Sequence, residues 1–198
     1  MLYCGNDIVN LQNQDFESEE RFLRWVSKVA NPGEKQWILE ATNPQLALWK
    51  LWAAKESAYK VFMKLGIPPF VNAKKIKVTP DSAPNHFMAE LEDLQLFGFW
   101  EYNPQWLHAV ATNDKTREIK PFCKIITNKT RQPSLQIRIE LTKLLLQKHG
   151  LVLKAIKKHN NIPLAIIDNQ DSPIDLSFSH HSPYSALAFL LKTAIDSK

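Results

Sequence analysis

Glycine and cysteine are both scarce in this chain. Five glycines in 198 residues, with no G-x-G-x-x-G and no Walker A pattern, exclude the standard glycine-rich phosphate cradles. The two cysteines, Cys4 and Cys123, form neither a metal-ligand spacing nor a disulfide framework. No apolar run approaches the roughly 20 residues needed to span a bilayer, so no membrane segment is expected. The first residues, MLYCGNDIVN, have no basic region followed by an apolar core, which predicts no signal peptide. Together these absences predict a cytoplasmic protein with reduced thiols. No periodic repeat runs through the chain.

Hydrophobic side chains, by contrast, are plentiful. They make up 44% of the residues, including six Trp and ten Phe, enough for a buried core and too many for bulk disorder. The net charge of +5 favours an anionic partner: phosphate, nucleic acid, anionic lipid or an acidic protein.

LYCGNDIVN reads as a strand running into a loop. SEERFLRWVSKVA reads as a helix behind a Ser18 cap, with Phe22, Trp25, Val26 and Val29 at helical spacing. NPGEKQWILEAT starts a second helix, with Pro32 in its first turn and Glu34 near its positive end. PQLALWKLWAAKESAYKVFMKLG is the clearest helix, opened by Pro44 and stopped by Gly66. KKIKVT, HFMAELE, LQLFGFWEY and WLHAVAT read as strands of an antiparallel sheet. The polar stretch TNKTRQP, 127–133, reads as a linker. Beyond it, SLQIRIELTKLLLQKHG predicts a helix ending at Gly150 and LVLKAIKKHNN a shorter helix. PLAII and IDLSFSHHSPYSALAFLL then read as strands with a turn near Ser182-Pro183. Two parts, 1–126 and 134–198, each pair helices with strands, so the predicted class is α+β.

Three segments carry candidate chemistry. On a helix, Trp49, Trp52, Ala53, Glu56 and Lys60 share one face, with Lys55 about 100° round from Glu56. One reading of Glu56 and Lys60 is an exposed i, i+4 pair worth about 0.2–0.5 kcal/mol. The other takes Glu56, at the rim of an apolar stripe, as a metal ligand, with Lys55 and Lys60 near enough to hold phosphate. Asp7 in GND reads either as an Asx-turn at a strand end or as a second carboxylate ligand. In SFSHHS, His180 and His181 point to opposite faces of a strand, which suits them poorly as a metal pair. One of them, with Ser179, either bonds an anion or sits on neighbouring backbone. Lys154, Lys157 and Lys158 read as a solvated helix face, and no nucleic-acid-binding motif is present.

Taken together, GND, WAAKESAYK and SFSHHS resemble the motifs of the 4′-phosphopantetheinyl transferase superfamily: G-x-D, W-x-x-K-E-x-x-x-K and a hydrophobic-S-x-S-H strand. WAAKESAYK is the most specific match. RIELTKLLL resembles the early helix of the larger members, and WLHAVA the strand after their K-E helix. The motif order differs from theirs, because the S-H segment comes last, and this order resembles a circular permutation. Two further departures are Val9, where many members have an acid, and Asn161-Ile162-Pro163, where many have G-K-P.

The resemblance implies two pseudo-symmetric α+β halves with the active site between them. It implies Mg²⁺-dependent transfer of 4′-phosphopantetheine from coenzyme A to a serine of an acidic acyl or peptidyl carrier protein, by a monomer or homodimer. In that scheme Asp7 and Glu56 are metal ligands, and Glu56 and Lys60 are catalytic. Lys55, Lys60, Ser179 and His180 contact the diphosphate and nucleotide. The alternative is a non-catalytic descendant that binds coenzyme A or a carrier protein.

Overall fold

The computed structural model describes residues 1–12, 16–128, 132–167 and 170–191. Two five-stranded antiparallel sheets are built in the same way. In the first, strand β1 (Cys4–Asn10) is followed by helices α1 (Glu19–Val29), α2 (Pro32–Glu40) and α3 (Pro44–Lys64). Strands β2 (Lys77–Pro80), β3 (His86–Leu91), β4 (Leu94–Tyr102) and β5 (Trp106–Thr112) follow, and the spatial order is β1-β5-β4-β3-β2. In the second, β6 (Phe122–Thr127) and helix α4 (Pro133–His149) precede β7 (Leu153–His159), β8 (Ile162–Ile167), β9 (Gln170–His181) and β10 (Tyr184–Leu191). Their order is β6-β10-β9-β8-β7, the same pattern one unit later.

Local chemistry sets the helix ends. Ser18 accepts the Arg21 N–H at the start of α1. Asn31 and Glu34 form a reciprocal capping box on α2. Asn43 accepts the Leu46 N–H ahead of Pro44 on α3. Gly150 closes α4 in the left-handed conformation, φ 66°, which a residue with a Cβ adopts only with strain. α3 lies against the first sheet and is wrapped on nearly every side. Leu48, Leu51, Ala54, Ala58, Val61 and Phe62 are fully buried, with α1 and α2 packed over them. α4 covers the second sheet with Ile137, Leu141, Leu144 and Leu145.

β7 corrects one expectation. LVLKAIKKHNN is a strand, not a helix, because it pairs along β8 from Leu153↔Ile167 to His159↔Ile162. The helical look came from Leu153 and Ile156, three residues apart. A register shift between Leu153 and Ala155 inserts one residue, so both side chains reach the same core. Lys154, Lys157 and Lys158 therefore lie on an edge strand, where charge deters further strand pairing. β6, for which no strand was expected, pairs with β10, so the chain changes sheets ahead of residue 126. The predicted linker, 127–133, falls partly outside the described residues, at 129–131.

The two sheets meet where β1, an edge strand of the first, lies against β9 and β10 of the second. Alternation divides β1 between two neighbours. Cys4, Asn6 and Ile8 face the second sheet, with Cys4 beside Ala188 and Leu190, and Ile8 beside Tyr184 and Ala186. Gly5, Asp7 and Val9 lie on the opposite face, toward α3. Among the described residues no helix is long and apolar enough to cross a membrane.

Candidate active site

Gly5 explains how β1 meets α3. A Cβ built on it would lie 2.0 Å from the Ser57 carbonyl oxygen and 3.1 Å from Lys60 Cβ. Only a residue without a side chain lets the helix come this close. Two residues on, Asp7 shares that face and meets the next turn of α3. Its carboxylate lies 3.5 Å from Lys60 Nζ, and Glu56 is close enough for its charge to oppose Asp7 ionisation. Asp7 sits inside β1, paired with Ala109, so it is neither at a strand end nor in an Asx-turn.

The electrostatics are those of two acids around one cation. Burial pushes the Asp7 carboxyl up to about 6, Lys60 opposes the shift and Glu56 adds to it. Burial also raises Glu56, again against Lys60. Both carboxylates are thus under-compensated by the protein's own charge. Lys60 donates to the Asn6 carbonyl at 2.6 Å and the Phe178 carbonyl at 3.3 Å, so its ammonium already has several acceptors and is not free to neutralise both acids.

Glu56 and Lys60 open onto a cleft of about 870 Å³ that lies between the two halves. α3 and the following turn supply Tyr59, Met63, Ile67 and Pro68 on one side. α4 contributes Arg138, β7 contributes Lys158, and β9 contributes Phe178 and His180 on the other. Glu56 is the one carboxylate residue among the described lining residues, so the cleft is otherwise neutral or cationic. Its size and mixed lining suit an elongated ligand with an anionic part and an apolar part.

Glu56 and Lys60 from α3 and His180 from β9 line one cleft, and Asp7 from β1 lies beside Lys60, within electrostatic reach of Glu56. Lys55 and Ser179 are not part of this group. Lys55 points into the core of the first half, where Nζ donates to Glu34 Oε2 at 2.7 Å and to the carbonyls of Val29 and Ala73. Its side chain is 1% exposed, so it holds α3 to α2 and contacts no ligand in the cleft. The turn of about 100° between adjacent helical residues sends Lys55 inward and Glu56 to the cleft. Ser179 is buried and accepts from Asn6 Nδ2 at 3.1 Å, since strand alternation turns it toward β1 while His180 faces the cleft.

Three further residues of this region belong to no motif in the sequence. Lys64 and Asp175 form an ion pair at 2.8 Å between the halves, with side chains 3% and 7% exposed. The signal was there: Glu56, Lys60 and Lys64 repeat every four residues, and Asp175, Ser177 and Ser179 alternate along an apolar strand. His108 on β5 is fully buried beneath Asn6, whose Nδ2 lies 3.1 Å from Nε2. Burial and the Lys60 charge push this imidazole down to about 3, so it is neutral. Within WLHAVAT it looked like any strand residue.

No group of three or more His, Cys, Asp or Glu side chains that could hold a metal occurs among the described residues. Asp7 and Glu56 form a two-carboxylate, all-oxygen set, which suits a hard divalent cation that keeps water and phosphate in its other positions.

Comparison with known proteins places the chain in a family. A search of curated proteins finds no match. Residues 3–112, more than half of the chain, match the sequence profile of the 4′-phosphopantetheinyl transferase superfamily. That match spans β1 to β5 and so contains Gly5, Asp7, Glu56 and Lys60. The chain belongs to the 4′-phosphopantetheinyl transferase superfamily.

Proposed function

We propose that this protein transfers the 4′-phosphopantetheine group of coenzyme A to a serine hydroxyl of an acyl or peptidyl carrier protein. The serine oxygen forms a bond to the phosphorus that bears pantetheine. The diphosphate bridge to that phosphorus breaks, adenosine 3′,5′-bisphosphate leaves, and the serine proton passes to a base. Such a reaction depends chiefly on alignment and on offsetting the charge of the diphosphate.

One observation carries the reading. Asp7 and Glu56, under-compensated and 49 positions apart, meet beside Lys60 at the edge of a cleft walled by both halves. The two carboxylates would hold Mg²⁺, which when bound offsets charge on the diphosphate oxygens. Glu56, directly or through a water it orients, takes the serine proton; burial raises its pKa above the ordinary carboxylate value, which strengthens it as a base. Lys60 steadies charge on the leaving phosphate. His180, with Arg138 and Lys158 on the same wall, meets the nucleotide phosphates. The net charge of +5 favours encounter with an acidic carrier protein. On this reading the chain is a circular permutation of the larger family members, and the S-H segment C-terminal to the other two motifs is what supports it.

Intact mass spectrometry of an apo carrier protein incubated with this protein, coenzyme A and Mg²⁺ tests the proposal. The expected result is a gain of one phosphopantetheine, abolished by EDTA and by Glu56→Gln. Coenzyme A binding without any gain on several carriers would favour a non-catalytic binding protein.

A further inference from the structure

The contact between β1 and β9 is built like a strand pair from which the strand-to-strand bonds have been taken away. The Cys4 N–H donates to Asp175 Oδ2 at 2.7 Å, and the Asn6 N–H to Ser177 Oγ at 2.9 Å. Side chains of β9 thus accept the amides that a neighbouring backbone would otherwise take. The carbonyls are satisfied from a third element. Lys64 Nζ donates to Cys4 O at 2.6 Å and to Leu176 O at 2.6 Å. One helical turn earlier, Lys60 Nζ donates to Asn6 O and Phe178 O. The two lysines form successive rungs, each joining one carbonyl of β1 to one of β9, and both rungs step two residues along each strand.

The rungs differ in one respect. Lys60 lies at the cleft, with its side chain 29% exposed and Asp7 beside it. Lys64 borders the same cleft but with its side chain only 3% exposed; it has three acceptors for its three protons and is ion-paired with Asp175. Asp175 in turn holds both Lys64 and the Cys4 amide through one oxygen, Oδ2. A slip of β1 along β9 would break all of these bonds together. Such a slip would also carry Asp7, three residues from Cys4, away from His180, four residues beyond Leu176.

We propose that Lys64 and Asp175 are positioning residues for the transfer: the pair fixes the register of β1 on β9 and so sets Asp7 and Glu56 against the cleft wall that carries His180. The inference rests on the transferase reading above. It adds that the distance between the acidic and cationic parts of the site is set at a buried bond outside the reacting groups.

The test compares wild type with Asp175→Asn, Lys64→Met and the double variant, using the same carrier assay well below each thermal midpoint. Asp175→Asn keeps an acceptor for the Cys4 amide and removes only charge. Lys64→Met alone leaves a buried carboxylate unpaired and should lower the midpoint most. The double variant buries no lone charge and should regain most of that loss. Positioning predicts that kcat stays down roughly 10–100-fold in the double variant even where stability returns. KM for coenzyme A should change less than kcat, because Lys60, Arg138, Lys158 and His180 are intact and the Lys64 side chain is only 3% exposed to the cleft. Recovery of kcat in step with the thermal midpoint, or full kcat in Asp175→Asn, would overturn the positioning role. A wild-type protein that transfers nothing would instead overturn the reading beneath it, and the inference with it.

Discussion

The two halves share one topology and divide the chemistry unequally. Each runs strand, helical segment, then four strands, with the first strand lodged at an edge beside the last. The first half packs three helices and contributes the two acids. The second packs α4 alone and faces the cleft with Arg138, Lys158 and His180, without a carboxylate among its described lining residues. The pair of long helices makes the contrast sharper. α3 carries Glu56, Lys60 and Lys64 at four-residue spacing along the face that meets β1 and β9. α4 presents Pro133, Ser134, Ile137 and Arg138 to the cleft from its first turns. A shared fold thus supplies two frames, and the seam between them makes the cleft.

The largest effect expected from breaking this division is on chemistry. Asp7→Asn and Glu56→Gln should each lower transfer roughly 10²–10⁴-fold in the carrier assay. Neither should destabilise the metal-free protein, because burial already disfavours both charges. Calorimetry should show an unchanged or higher thermal midpoint, and a large drop would mean that these acids are structural.

Next comes the ion pair that belongs to the first half alone. Glu34→Gln leaves Lys55 buried without its charge partner and should cost about 3–5 kcal/mol in urea unfolding. Glu34 does not line the cleft, so turnover per folded molecule should hold. A specific loss of kcat would show that this pair also serves the site.

Gly5→Ala places a methyl group against the Ser57 carbonyl and should destabilise by about 1–3 kcal/mol, since α3 must move. The movement separates Asp7 from Glu56, so metal-dependent activity should fall further than stability does. An equal fall in both would show that Gly5 serves packing only.

The smallest effect concerns pH. His108 titrates near 6.5 when unfolded and about 3 when folded, so the unfolded chain takes up a proton that the folded one refuses. Its share of stability is present above about pH 6.5 and is lost as pH falls toward 3. Asp7 acts in the opposite sense. Its folded pKa of about 6 exceeds the ordinary 3.8, so its penalty is absent below the lower value and complete above the higher. His108→Gln should therefore flatten the acid limb of the stability curve, and Asp7→Asn should lift its neutral limb. Unchanged curves would contradict the burial assigned to these groups.

Much of this was legible in the sequence. α1, α2, α3 and α4 showed in caps and apolar spacing, because those signals are local. Asp7, Glu56, Lys60 and His180 stand out as candidates because their motifs bind residue type to spacing. Lys55 was misread, since its neighbour Glu56 shares its composition but not its direction. Whether a lysine meets solvent, phosphate or a glutamate 21 residues earlier depends on how α2 packs on α3. β7 was misread because a bulge gave a strand the spacing of a helix. Lys64 and Asp175 were passed over because 111 residues separate two ordinary charges, and only the docking of the halves joins them.

The account turns on Asp7 and Glu56 acting together across β1 and α3. Its most direct test is calorimetric titration of Mg²⁺ into the protein in the presence of coenzyme A, wild type against Asp7→Asn and Glu56→Gln. The account predicts one saturable site in wild type, lost or weakened at least about tenfold in each variant. Equal Mg²⁺ binding in all three proteins would contradict it.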